Sequence, residues 1–412
     1  MKAFRSPLLL LFLALVLLSC KHKKELDIDS YVVMVSFDGF RWDYTDLYNT
    51  PNFDAMTAAG VRAKKLIPSF PTKTFPNHYT LATGLYPDHH GIINNSFYAP
   101  DLNGIYRIGD RSMVGNENAY FGEPIWVSAE KQGLKSACFF WVGSEAPIGG
   151  NYPSYWEKYD GGVPYMDRVD QVIKWLELPL HKRPGLITLY FDEPDGIAHE
   201  MGPEHPETGK VIESLDSILG VLRSKISRLD IAEKVNLIVL SDHGMGSISP
   251  DKYVNITDFI KEDWTDEIIG GNPVYLIDPT EGYEDSVTLA LDALEGVHAW
   301  QKENIPAHLH YGSSPRFPGI VVVADSLWSI GTKTDPSGYY GGAHGYDNAF
   351  TDMHTIFLGE GPAFRKDYLA EPFSNVEVYG IIAHILGLDP AQTDGNLSEV
   401  SDLFPEIRSD LN

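Results

Sequence analysis

The chain has 412 residues, 43% of them hydrophobic and 22% charged, which excludes a disordered or fibrous protein and suits one large domain with an insert, or two domains. Its formal net charge of −25 argues against nonspecific nucleic-acid binding, because so acidic a chain repels the phosphate backbone. The 37 glycines and 27 prolines are scattered rather than clustered, and no internal repeat is visible, so neither a low-complexity linker nor a solenoid is expected.

At the N-terminus, Lys2 and Arg5 precede an unbroken apolar run of 11 residues, Leu8 to Leu18. That run is too short to cross a bilayer and suits the apolar region of a signal peptide spanning 1–19. It ends in Leu17-Leu18-Ser19-Cys20, which resembles a bacterial lipobox, cut before a cysteine whose thiol is then acylated. The alternative is an ordinary signal peptide with an incidental cysteine. The expectation is an exported lipoprotein, periplasmic or at the cell surface, anchored to a bacterial membrane by lipid on Cys20 with 20–30 as tether. Loss of the leader takes the basic residues from 32 to 30 against 57 acidic ones, and the net charge from −25 to −27. Only Cys138 would then remain, so no intramolecular disulfide is expected, and its apolar surroundings suit a small buried hydrophobe.

Further along, apolar runs rich in β-branched residues alternate with helical patterns. Tyr31 to Val35, Leu186 to Phe191, Val235 to Leu240 and Gly319 to Val323 read as buried strands, with Thr355 to Leu358 as another. Helices are expected over Pro51 to Ala59 between Thr50 and Gly60, over Pro76 to Ala82 with Pro76 as first residue, and over Tyr165 to Leu176 and Lys210 to Leu229. The alternation predicts an α/β sandwich with a mostly parallel central sheet, whose ligand sites lie at the carboxyl ends of its strands.

Residues able to bind metal fall at those ends. Asp38 closely follows the first strand, Asp195 the second, and Asp242 with His243 the third. An aspartate after a strand can also cap a helix, but Asp242-His243 leaves a spare imidazole. Asp195 and His199 are four apart and would share a helix face. A lone His344 in Gly342-Ala343-His344-Gly345 completes a nitrogen and oxygen set suited to a metal such as zinc. Thr74, at a helix start, faces free N–H groups where a phosphoryl group could bind; metal would activate its hydroxyl without a Ser-His-Asp triad. Without the metal ligands, Thr72 or Thr74 would read as a helix cap.

With these residues in view, the chain resembles the nucleotide pyrophosphatase/phosphodiesterase family of the alkaline phosphatase superfamily. Ser36-Phe37-Asp38-Gly39-Phe40-Arg41, Pro71 to His78, His89 to Asn95, Glu193-Pro194-Asp195 with His199, Ser241 to Met245 and Gly342 to Gly345 match in order, from Tyr31 to near Leu388. The resemblance implies an alkaline phosphatase-like α/β/α core formed by 31–246 and 342–405, with 247–341 inserted over the cleft as a small subdomain. It implies two zinc ions, one held by Asp195, His199 and His344, the other by Asp38, Thr74, Asp242 and His243. Thr74 would attack phosphorus and expel an alcohol or phosphate, with Asn95 and the Phe75 N–H stabilising a non-bridging oxygen. Water would then cleave the phospho-threonine.

Asn95 favours diesters, whose single charge suits a neutral amide, over monoesters, for which an arginine is usual in this superfamily. No arginine flanks Thr74, and no Cys/Ser-x-Pro-x-Arg sulfatase motif occurs. By the same resemblance, Phe75 and Tyr159 would sandwich a nucleobase; packing in the core or cleft is the alternative for both. The expected substrates are nucleoside triphosphates, dinucleotides and nucleotide diesters, cleaved to nucleoside 5'-monophosphate by a monomer with no stable nucleic-acid partner. The runner-up is a phospholipid-headgroup or phosphonate hydrolase of the same superfamily. A surface-tethered binding protein without turnover would have lost a ligand or the nucleophile, and every position is filled. Without the many disulfides and extra domains of the vertebrate secreted members, a compact bacterial catalytic domain is the expectation.

Overall fold

A computed structural model describes residues 29–405. The expected signal peptide, Cys20 and most of the tether therefore lie outside the described residues.

The strands that matter for the site are, in chain order, β1 (Tyr31–Phe37), β2 (Val61–Ala63), β3 (Ser136–Phe139), β4 (Tyr155–Glu157), β5 (Leu186–Phe191), β6 (Val235–Leu240), β7 (Thr265–Gly271), β8 (Val274–Pro279), β9 (Val297–Gln301), β10 (Ile320–Ala324), β11 (Phe357–Glu360) and β12 (Tyr368–Ala370). Eight of them form one sheet in the order β12-β2-β11-β6-β1-β5-β3-β4. Every neighbouring pair in it is parallel except the two made by β11.

Alternation along the central strands explains the layers. In β1, Val32 and Met34 enter one core, while Tyr31, Val33, Val35 and Phe37 enter the other. In β6, Ile238 and Leu240 join the first core and Val235, Leu237 and Val239 the second. A strand buried on both faces must be covered on both. The first face is covered by helices Thr74–Thr83, Ile125–Lys131 and Glu377–Leu386, the second by Pro51–Ala59, Tyr165–Leu176 and Pro206–Ile226. This is the three-layer α/β sandwich of the alkaline phosphatase superfamily.

Helices Pro51–Ala59 and Tyr165–Leu176 have the expected bounds. The long helix begins at Pro206, four residues earlier than expected, because His205 caps it by accepting the Glu207 N–H and Pro206 suits a first turn. The strand expected at Thr355 to Leu358 runs from Phe357 to Glu360. Thr355 is instead held outside it, its hydroxyl donating to the Ser241 carbonyl at 3.0 Å.

The strand expected at Gly319 to Val323 is β10, and it lies outside the parallel sheet. It sits in an antiparallel sheet ordered β7-β8-β10-β9, wholly within 247–341. Buried alternation alone does not say which sheet a strand joins. One face of this sheet, with Ile277, Ile320, Val322 and Ala299, forms a small core with Val287 and Leu291 of helix Glu284–Asp292. The other face, with Val274, Leu276, Val321 and Val323, merges into the core of the large sheet. Gly246–Ile248 pairs antiparallel with Gly341–Ala343, so the two ends of the segment are zipped together.

Cys138 is buried and free, and burial pushes its thiol up to about 12. No helix among the described residues is long and apolar enough to cross a membrane.

Candidate active site

Strands β5, β1 and β6 lie side by side and end level, Phe37 opposite Phe191 and Ser36 opposite Leu240. Their carboxyl ends therefore deliver Asp195, Asp38 and Asp242-His243 to one place. The turn after β1 requires glycine, since Gly39 has φ +70° and a Cβ there would meet Asp195 at 3.0 Å. His344 arrives through the zipped ends, where Gly246 pairs with Ala343, and its ring stacks on His243 with centroids 3.5 Å apart. His199 projects from helix Asp195–Met201.

The three histidines share one orientation. The Nδ1 of His243 lies 2.9 Å from the Gly244 carbonyl, that of His344 2.8 Å from the Thr72 carbonyl, and that of His199 2.8 Å from the Gly342 carbonyl. A carbonyl only accepts, so each Nδ1 carries a proton, and in the neutral ring, the form that binds metal, each Nε2 presents a lone pair. Those lone pairs face carboxylates: His243 Nε2 lies 3.3 Å from Asp38 Oδ1 and 3.0 Å from Asp242 Oδ2. Asp195 Oδ1 lies 3.4 Å from His199 Nε2 and 3.6 Å from His344 Nε2. Those same oxygens, Asp38 Oδ1, Asp195 Oδ1 and Asp242 Oδ2, are buried without a hydrogen-bond partner. Lone pair facing lone pair in a buried cup is costly unless a cation lies between them. The donor set fits a divalent metal such as zinc.

Electrostatics divide the cup: against the cost of burial, Asp242 raises His243, and His243 with His78 in turn holds Asp242 well below its usual range. Burial raises the Asp38 carboxyl well above its usual range, and the charges of Asp242 and Asp195 raise it further. His344 is held well below its usual value by burial and by His243, Lys73 and His199, which keeps it neutral as a ligand must be. Burial brings Lys73 down to about 7 against the pull of Asp195, and its Nζ donates to the Asn272 carbonyl at 2.6 Å.

Distance alone gathers Asp195, His243 and His344 in one group and Asp38, His78 and Asp242 in another. His78 differs from the other histidines. Its Nδ1 lies 3.0 Å from the Thr74 carbonyl and 3.3 Å from Asp242 Oδ2, and its Nε2 lies 2.9 Å from Ser36 Oγ. With its Nδ1 proton engaged by the Thr74 carbonyl, the ring packs against Asp242 and offers no lone pair from that nitrogen. His243, between the groups, is near Asp38 and Asp242 and stacked on His344.

Thr74 begins the helix Thr74–Thr83, two residues before the expected start, with Lys73 as extended cap and Pro76 inside the first turn. Its Oγ1 lies 3.1 Å from His243 Nε2, at the edge of the cup. Asn95 Oδ1 accepts the Phe75 N–H at 3.0 Å, so that N–H is engaged in orienting Asn95 instead of standing open beside it.

A cavity of about 410 Å³ opens from Asp38 and Thr74. Phe75 and Tyr159 both line it, with Ile108, Arg111, Trp141, Glu145, Tyr190 and Asp192 among the other walls. No lining residue comes from 247–341, so the inserted segment does not line this cavity as expected; residues 108–114, which end in the short helix Arg111–Val114, and the loop 140–145 do. A larger cavity, about 650 Å³, lies by the start of β6 and contains none of these residues. Residue-by-residue reading missed Tyr190, whose hydroxyl donates to Asp38 Oδ2 at 2.6 Å, and the pair Arg111 and Glu145. Tyr190 lies within the β5 run and gave no signal beyond a strand residue. His78 was visible in its motif without a role.

The helix start bearing Thr74, beside two metal-competent clusters at the strand ends, marks the candidate catalytic centre of a hydrolase. The family model described as type I phosphodiesterase / nucleotide pyrophosphatase matches residues 32–347. A venom phosphodiesterase of Crotalus durissus collilineatus is 37% identical over 387 residues, covering 91% of this chain and 46% of its own. Human ectonucleotide pyrophosphatase/phosphodiesterase family member 1 is 34% identical, covering 90% and 41%, and human member 5 is 35% identical, covering 90% and 78%. The chain thus spans less than half the length of the first two. A solved structure of murine member 5, an inactive threonine-to-alanine variant in complex with AMP, superposes with a TM-score of 0.86 at 36% identity, covering 91% of this chain and all of that one. The chain belongs to the type I phosphodiesterase / nucleotide pyrophosphatase family, within the alkaline phosphatase superfamily.

Proposed function

We propose that the chain is a zinc-dependent phosphodiesterase and nucleotide pyrophosphatase that releases nucleoside 5'-monophosphates through a phospho-threonine on Thr74. The observation that carries this reading is the Thr74 hydroxyl at the rim of a cup with three unpartnered buried carboxylate oxygens, at the mouth of an aromatic cavity. The names of its relatives, and AMP in one of their structures, support the nucleotide class.

Asp195, His199 and His344 would hold one zinc ion, and Asp38, Thr74, Asp242 and His243 the other. Bound there, the two ions would supply Lewis-acid stabilisation of the attacking and leaving oxygens. Thr74 Oγ attacks phosphorus, its position set by the first helical turn. The positive end of the helix dipole there favours the phosphoryl group. Asn95, held through its Oδ1 by the Phe75 N–H, is left with its Nδ2 to donate to a non-bridging oxygen. His78 packs against Asp242, and Tyr190 donates its hydroxyl to Asp38. Phe75 and Tyr159 offer rings for a base, each stacking contact contributing about 1–3 kcal/mol. Water then hydrolyses the phospho-threonine.

Hydrolysis of p-nitrophenyl-TMP tests the reading against its runner-up, a headgroup or phosphonate hydrolase. Rates on p-nitrophenylphosphorylcholine or a phosphonate ester exceeding those on p-nitrophenyl-TMP would sink the nucleotide assignment. We propose further that Cys20 carries a lipid anchor on an exported chain, supported by the apolar run ending there. Retention of a Cys20→Ala variant in the membrane fraction would contradict it.

A further inference from the structure

The segment 247–341 contributes nothing to the walls of the substrate cavity, yet it grips the loop that carries Asn95. That loop links the short helix Pro87–His90 to the strand Ser96–Ala99. Three side chains between β9 and β10 reach it. Tyr311 donates its hydroxyl to the Ile93 carbonyl at 2.8 Å, and Arg316 Nη1 donates to the Gly91 carbonyl at 2.8 Å. Ser313 Oγ donates to Asp88 Oδ2 at 2.8 Å.

The grip is rigid. Arg316 is fully buried between Phe97 and Phe121, and it also holds the Ala119 and Asn118 carbonyls and both oxygens of Asp101. Gly91 has φ +81°, and a Cβ there would meet Phe121 at 2.6 Å and Arg316 Nη1 at 2.9 Å. Four residues on, β10 is a central strand whose Val321 and Val323 enter the main core. From the other side, His90 Nε2 lies 3.0 Å from Thr80 Oγ1 and 3.1 Å from the Pro76 carbonyl, which ties the loop to the Thr74 helix. The loop is thus clamped between the nucleophile's helix and the inserted sheet, and the Asn95 carbonyl in turn accepts the Ile108 N–H of the cavity wall at 3.2 Å.

We infer that Tyr311, Ser313 and Arg316 are positioning residues: through them the inserted sheet sets the placement of Asn95 against the phosphoryl group. This rests on the role proposed above for Asn95. Displacement of a transition-state donor by a fraction of an ångström lowers kcat while leaving ground-state binding largely intact.

The test is a double-mutant cycle on bis-p-nitrophenyl phosphate, which has no nucleobase to obscure the result. Tyr311→Phe keeps the ring between Phe70 and Phe317 and removes only the hydroxyl. The expected outcome is a fall in kcat of about tenfold with KM within about twofold, and no further fall when Tyr311→Phe is added to Asn95→Ala. A loss of folded protein would reduce rates by the same factor in both backgrounds, so equal factors overturn the inference. An unchanged kcat in Tyr311→Phe, where Asn95→Ala lowers it, overturns the positioning alone. An unchanged kcat in Asn95→Ala overturns the role of Asn95 and the positioning with it. Should Tyr311→Phe fail to fold, Ser313→Ala replaces it, with an expected fall of about threefold that is again absent beside Asn95→Ala.

Discussion

The candidate metal cup and the aromatic cavity meet at Asp38 and Thr74 but are built by opposite means. The cup hangs on the ends of β5, β1 and β6, three strands in register, and each of its three candidate ligand histidines is oriented by a backbone carbonyl. The cavity is walled largely by loops, joined through side-chain contacts such as Arg111 with Glu145 and the Tyr159 N–H donated to Glu145 at 3.1 Å. Scaffold-borne geometry suits chemistry, which tolerates little error; loop-borne geometry suits selection among substrates. Damage to the cup should therefore fall on kcat and metal, and damage to the cavity on KM for nucleotides.

The largest effect is expected at the point the two regions share. Thr74→Ala should lower turnover of p-nitrophenyl-TMP by on the order of 10⁴-fold or more. Metal content by atomic emission should stay at one ion or more per chain. Loss of both ions together would instead make Thr74 a structural ligand. Removing metal with EDTA should likewise abolish turnover, and should also lower Tm by several degrees, because the cup's carboxylates lose their compensating cations. An unshifted Tm would contradict the cup as a metal centre.

Next comes His78→Asn, which removes the imidazole packed 3.3 Å from Asp242 Oδ2. Chelator competition should register a metal affinity weaker by about 10–100-fold. On the cavity side, Tyr159→Ala should raise KM for p-nitrophenyl-TMP by about 5–150-fold, the equivalent of the ~1–3 kcal/mol of one stacking contact. It should leave bis-p-nitrophenyl phosphate unaffected; equal losses on both substrates would assign Tyr159 to packing. The smallest effect is at Cys138. Burial holds its thiol at about 12, so the thiolate needed for alkylation is scarce at pH 8, and iodoacetamide should not label the native protein. Labelling without unfolding would disprove the burial.

The same contrast marks what the sequence revealed. Asp38, Asp195, Asp242 and His243 were legible because a β-branched run ends just before each, and the runs from Leu186 and Val235 have the bounds expected of them. His344 was found only as a motif residue, since its place depends on pairing between strands about a hundred residues apart. The sheet to which β10 belongs was hidden for a related reason: all-buried runs look alike whichever partners they find. Tyr190 and Glu145 were invisible because a tyrosine in a strand and a glutamate in a loop carry no periodic signal. The cavity wall was misassigned to 247–341, because chain position between ligands says nothing about which face an insert covers.

Double displacement at Thr74 would leave its mark on the stereochemical course at phosphorus. Hydrolysis of a nucleotide diester made chiral with sulfur and oxygen isotopes should proceed with net retention, two in-line inversions through the phospho-threonine. Net inversion would mean that water attacks phosphorus in one step, and would contradict it.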